Sequence, residues 1–175
     1  MNLHPSRLPL SALAILLLLA LSSVATLAAA DQTLDVQHYV NTRFGYELSY
    51  PAMLAPQGEA DNRDGQRFVS HDAHATLLVW GSHNVFDDSI ATLFRRESQS
   101  PDRTVTYSVV RDRFFVLSGF AGEDIFYTKT IHDPQTDTFA TFHFTYPRQR
   151  KKEFDPVVAI LSKSFRHHNQ TGLAP

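Results

Sequence analysis

Between residues 140 and 147, Ala140, Phe142, Phe144 and Tyr146 alternate with Thr141, His143 and Thr145 until Pro147 ends the run. A period of two places alternate side chains on opposite sides of a pleated strand, so these apolar groups share one face that needs a sheet-wide core to cover it. The same pattern recurs in Phe44, Tyr46, Leu48 and Tyr50, which Pro51 closes. Further apolar runs come in pairs around short polar links. Arg67 to Ser70 and Thr76 to Gly81 flank His71-Asp72-Ala73-His74. Val105 to Val109 and Phe114 to Leu117 flank Arg111-Asp112-Arg113, and Ile125 to Ile131 is joined to the 140–146 run by a turn holding Pro134. Three hairpins follow. The polar stretch from Ala55 to Gly65, with Pro56, Gly58 and Asp61-Asn62-Arg63-Asp64-Gly65, reads as a loop and tight turn.

Two helices punctuate the strands. Ile90, Leu93 and Phe94 have helical spacing, and Asp87 or Asp88 is the expected cap of a helix running through Ser98. Near the C-terminus, Val157, Ile160, Leu161, Ser164 and Phe165 fall on one stripe. Asp155 is the expected N-cap there and Pro156 the first helical residue, where a missing N–H costs nothing. Lys163, Arg166, His167 and His168 then complement the negative end of the helix dipole. The order of strand, hairpin, helix, two hairpins and helix lacks the alternation of a doubly wound nucleotide fold. It implies a single α+β domain with a central antiparallel sheet flanked by helices.

The first 30 residues stand apart. Arg7, their one charge, precedes an unbroken apolar run from Ala12 to Leu21, and Ala28-Ala29-Ala30 ends the segment before Asp31. This is the pattern of a cleaved signal peptide, with small side chains at the cleavage site and Asp31 as the expected mature N-terminus. The expected organisation is a signal peptide over 1–30, the α+β domain over 31–168 and a disordered tail over 169–175. Export of a small domain without any cysteine suggests a bacterial periplasm or exterior, because exported domains elsewhere are usually stapled by disulfides. The formal net charge of −2 gives no basic excess for neutralising phosphates, so neither nucleic acid nor anionic lipid is an expected partner. The absent cysteine also excludes thiol catalysis and thiolate-bound zinc.

The opening run Phe44-Gly45-Tyr46-Glu47-Leu48-Ser49-Tyr50-Pro51 resembles the first strand of the Mog1/PsbP-like superfamily, and Leu161-Ser162-Lys163-Ser164-Phe165-Arg166 resembles its closing helix. The chain is also similar to small exported bacterial proteins of unassigned function, through a turn before a strand at Asp64-Gly65 and the strand exit Trp80-Gly81-Ser82. The resemblance implies a central antiparallel sheet between helices. Superfamily members serve as photosystem accessory subunits, GTPase-binding factors and secretion chaperones, with no shared catalytic motif to carry over.

Several constellations have a chemical reading. His71 and His74 sit three apart around Asp72, and His83 follows the paired strand, which makes them candidate ligands for a first-row metal. A polar hairpin link bears histidines for solubility as readily. Asp61 to Gly65 fails as a calcium loop, since aligning Gly65 with the sixth position leaves His71 where a bidentate Glu is required. Ser70-His71 and Ser82-His83 lack a nucleophile elbow, and Glu123-Asp124 project to opposite faces of a strand, so no hydrolytic pair is assembled. No glycine-rich phosphate loop is present and no cofactor is implied. Arg148, Arg150, Lys151 and Lys152 form the one basic run and a candidate partner surface. The functional expectation is an exported, non-catalytic accessory or binding protein of the cell envelope, with a protein or an envelope polymer as partner. The alternative is a small metal- or ligand-binding protein using the histidine-bearing end of the hairpin.

Overall fold

Ten strands and two helices fold as the hydrophobic pattern demands, in a computed structural model that describes residues 34–168. The expected leader over 1–30 and tail over 169–175 lie outside the described residues. The elements are β1 (Val36–Asn41), β2 (Tyr46–Pro51), β3 (Leu54–Glu59), β4 (Gly65–Ser70), β5 (Thr76–His83), α1 (Ile90–Ser98), β6 (Thr104–Arg111), β7 (Phe114–Ala121), β8 (Asp124–Asp133), β9 (Thr138–Pro147), α2 (Lys151–Ser164) and β10 (Arg166–His167). A 3-10 turn, Arg148–Arg150, leads into α2. The main sheet has seven strands in the order β3-β4-β5-β9-β8-β7-β6, and a separate sheet has the order β1-β2-β10. Every pairing is antiparallel.

Cross-strand partners in an antiparallel ladder share a face, so the registers sort the side chains. One face of the main sheet carries Phe68, Leu77, Val79, Phe142, Phe144 and Tyr146. It packs against Tyr46, Leu48 and Tyr50 of β2 and Phe154, Val157 and Leu161 of α2, all in one buried cluster. Phe154 meets the rings of Phe144 and Tyr146 at centroid separations of 5.7 and 5.2 Å. The other face carries Phe115, Leu117, Phe126 and Phe139 under Ile90, Leu93 and Phe94 of α1, a second and smaller cluster.

One strand appears where no element was expected, and four expectations need correction. The segment Val36–Asn41 is a strand, although only Tyr39 and Asn41 are buried in it. Asn41 donates to the Arg63 carbonyl at 3.0 Å and accepts from the Phe44 amide at 2.9 Å, which holds a polar side chain at a core position. Leu54–Glu59, expected as loop, is the edge strand of the main sheet, with a register shift between Pro56 and Glu59. An edge tolerates proline and glycine because one side of its ladder is unused. Helix α1 is capped by Ser89, whose hydroxyl accepts from the Thr92 amide at 3.1 Å, while Asp88 instead pairs with Arg96. Helix α2 starts at Lys151, so Pro156 lies within it. Burial of Phe154 and the pairs Arg150–Glu153 and Lys151–Asp155 extend that first turn past the residue expected to begin it. The helix stops at Ser164, and Arg166–His167 pairs with β2 as a short strand, so the small sheet shares with α2 the layer expected to be helical.

Gly81 of β5 lies directly against the Phe44 side chain from this layer. A β-carbon there would lie 2.3 Å from the Phe44 ring and 2.4 Å from its own β-carbon, too close for the ring simply to swing away. Gly81→Ala is therefore expected to cost about 1–3 kcal/mol, the usual range for overpacking. Urea denaturation should show it as a lower midpoint at unchanged slope, and an unchanged midpoint would refute the contact.

Candidate functional site

Helix α1 has nine residues, about 14 Å of helix, against a seven-stranded sheet roughly 29 Å across. It packs on β6 and β7 and leaves the β5 side of the same face uncovered among the described residues. Between the helix and the sheet lies a cavity of about 350 Å³. Its floor is polar. Thr130 pairs across the ladder with Thr141, and Thr128 with His143, so all four side chains rise from β8 and β9 toward the helix. The Thr130 and Thr141 hydroxyls lie 2.9 Å apart, and the Thr128 hydroxyl lies 2.7 Å from His143 Nδ1. Thr128 and Thr130 are each 4% exposed. On the opposite face, the equivalent stretches of β8 and β9 supply Ile131, Phe142 and Phe144 to the core.

Charge at this site comes from α1 and the segment after it. Arg103 Nη2 donates to the Glu97 carboxylate at 2.7 Å and to its carbonyl at 2.9 Å, and the guanidinium lies 5.1 Å over the Phe126 ring. Its Nε is buried without a hydrogen-bond partner among the described residues. Arg96 is paired with Asp88 at 2.9 Å. Burial pulls the His143 pKa below its ordinary 6.5, the Arg103 charge pulls it further, and Glu97 opposes both. The imidazole is neutral at pH 7, with Nδ1 engaged by Thr128 and Nε2 left over. On the uncovered side Trp80 lines the cavity at 37% exposure, and Leu78 beside it is similarly open.

The loop between β5 and α1 displays two apolar residues at the same end of the molecule. Val85 and Phe86 are 75% and 80% exposed. Their loop is nonetheless held. Asn84 donates through Nδ2 to the Asp88 carbonyl at 3.2 Å and to Asp137 Oδ1 at 3.0 Å, and accepts from the Asp88 amide at 2.8 Å. Asp87 sits at φ +54°, the left-handed turn that this clamp closes.

The residues singled out in the sequence lie elsewhere. His71 and His74 are exposed in the β4–β5 turn, whereas His83 ends β5, roughly 24 Å away along the strand, with its ring 5.0 Å from Phe44. The three imidazoles do not converge, and among the described residues no group of three or more His, Asp or Glu could hold a metal ion. The basic run is largely engaged within the chain. Arg148 lies 3.9 Å over the Phe120 ring, Arg150 pairs with Asp72 and Glu153, Lys151 pairs with Asp155 at 2.6 Å, and Lys152 is exposed. The Ser70 hydroxyl, the His74 amide and Arg150 together hold the Asp72 carboxyl far below the ordinary range, so this turn is tied to the last helix. Sequence reasoning missed the threonine row because alternate polar positions on a strand read as a solvent face. A helix settled above them instead.

By structure the chain is similar to cyanobacterial PsbP (CyanoP) from Synechocystis, with a TM-score of 0.57 and 16% identity over 79% of this chain and 96% of that one. It is similar to the Saccharomyces cerevisiae Ran-binding protein Mog1p at a TM-score of 0.54 and 9% identity, over 81% of this chain and 100% of that one. A Bacteroides thetaiotaomicron structure matches with a TM-score of 0.50 and 8% identity, over 81% of this chain and 52% of that one. No protein-family profile matches the chain, and no curated protein matches it by sequence. The likeness establishes a Mog1/PsbP-like fold. Among the described residues no helix is long and apolar enough to cross a membrane.

The neutral His143 has a measurable consequence. Its native pKa lies below the unfolded value near 6.5, so the unfolded chain takes up a proton that the native ring resists. Stability from this site is complete above that pH and falls as pH drops toward the native pKa. Thermal melts from about pH 7.5 to about pH 5.5 should show this decline, and His143→Gln should make it shallower, leaving the share of His167, whose pKa burial also lowers. An equal slope in the variant would mean the ring does not contribute.

Proposed function

We propose that this Mog1/PsbP-like domain is an exported, non-catalytic binding or accessory protein of the bacterial cell envelope that receives a protein partner at the β5–α1 end. The observation that carries the reading is the pair Val85 and Phe86, largely exposed on a loop whose backbone Asn84 clamps. Exposed aromatics cost solubility in a free domain, and one fixed in place loses little entropy on docking. That is the chemistry of an interface anchor. The fold adds support, since it is shared with a Ran-binding protein and with a PsbP protein. Export rests on Arg7, the run from Ala12 to Leu21 and the Ala28-Ala29-Ala30 triplet. The net charge of −2 argues against nucleic acid as the partner.

Intact-mass measurement on protein recovered from a periplasmic fraction or the medium should give a chain starting at Asp31. A retained leader or recovery from cytoplasm alone would refute export. A photo-crosslinking amino acid at position 86 should trap one defined partner in living cells, whereas the same probe at Lys163, exposed on α2, should not. Phe86→Ala should weaken that association by about 2 kcal/mol, or roughly thirtyfold. Equal trapping at both positions, or an unaffected association, would place the interface elsewhere.

A further inference from the structure

We infer that the cavity beneath α1 is a saccharide-binding site that takes one pyranose ring, with Trp80 as its stacking platform and the Thr130–Thr141 pair as its hydrogen-bonding floor. This goes beyond the protein-partner reading and holds independently of it.

The argument starts from what the cavity offers. At about 350 Å³ it lies at the small end of ligand cavities, which run from roughly 300 to 1,000 Å³. A single sugar ring fits within it. Its charges are matched, Arg103 by Glu97 and Arg96 by Asp88, so nothing selects a net anion or cation. What is left over is amphoteric. Threonine hydroxyls both donate and accept, His143 Nε2 donates or accepts according to tautomer, and the buried Arg103 Nε needs an acceptor. A neutral molecule bearing several hydroxyls satisfies such a set. An apolar ligand would strand it at the cost of unpaired buried groups.

The aromatic rim completes the match. A pyranose has an apolar C–H face and a polar equatorial edge, and it binds where a flat ring meets convergent hydrogen-bonding groups. Trp80 supplies the ring on the side of the sheet that α1 leaves open, while Thr130 and Thr141 stand on the adjacent strands β8 and β9. The polar row is also costly as mere structure. Two strands that supply Ile131, Phe142 and Phe144 to the opposite core present hydroxyls here, under a helix that could have buried apolar side chains instead.

Trp80 is the chain's only tryptophan, so intrinsic fluorescence reports on this cavity alone. The purified protein is titrated with glucose, galactose, mannose and N-acetylglucosamine, with their methyl glycosides, and with acetate and phosphate as charged comparators. At least one neutral sugar should give a saturable change with a midpoint at or below about 10 mM. Retention of binding by the methyl glycoside would indicate the end of an envelope glycan, and its loss would indicate a free saccharide. Replacing both members of the floor, Thr130→Val with Thr141→Val, leaves no orphaned hydroxyl and should weaken binding at least about tenfold at an unchanged thermal transition. Trp80→Leu, followed by calorimetry, gives a second variant at a partly exposed position and should show the same loss. A flat response to every sugar would overturn the proposal. So would a response to acetate or phosphate alone, or sugar binding that survives both variants.

Discussion

Burial of one aromatic face organises this molecule. Phe68, Phe142, Phe144 and Tyr146 of the main sheet meet Tyr46, Leu48 and Tyr50 of β2 and Phe154 of α2, and the largest of these rings are sealed from water. Removing apolar area from water is the dominant favourable term in folding, at roughly 25 cal/mol per Å², and aromatic rings provide the most area per residue. The layer that covers this face is assembled from both ends of the described chain. Its parts are then held by specific polar ties: the Ser49 amide donates to Ser164 Oγ of α2 at 2.9 Å, and Lys129 caps the last turn of α2 by donating to the Ser162 carbonyl at 2.7 Å. Burial lowers the pKa of that lysine, yet the carbonyls it faces suit its charged form.

The second face follows from the first. With most of the apolar surface and the longer helix spent on one side, the other side receives only nine residues of helix. A short cover over a broad sheet leaves a margin, and here the margin is lined with threonine, histidine and tryptophan rather than filled. The two features that look outward, the cavity under α1 and the Val85–Phe86 loop, both arise at the boundary of this incomplete layer. Neither required a departure from the fold. Ligand sites commonly form where rigid elements leave a gap, because the scaffold fixes the lining groups in advance.

Charge plays a local part. Arg150, in the turn that leads into α2, reaches Asp72 in the β4–β5 turn, and Glu47, 9% exposed, pairs with Arg166 and with His168 at 3.0 Å to latch the C-terminal strand onto β2. These pairs close seams between segments far apart in sequence. They also consume charges that a linear reading would assign to a partner, as the Arg148 to Lys152 run illustrates.

Periodicity alone determined the three hairpins, the antiparallel sheet and the existence of both helices, because alternation and helical spacing are local properties of the chain. It could not find β1 or β3. In β1 the apolar residues Val36, Tyr39 and Val40 do not alternate, β3 includes Pro56 and Gly58, and both are strands only because β2 and β4 offer edges to pair with. Pro156 misplaced the start of α2 for a related reason, since the burial of Phe154 is a long-range contact that no cap residue signals. The threonine row was visible as letters and unreadable as a site. Whether a polar strand face meets water or a helix depends on where the helix lands, and only the tertiary structure decides that.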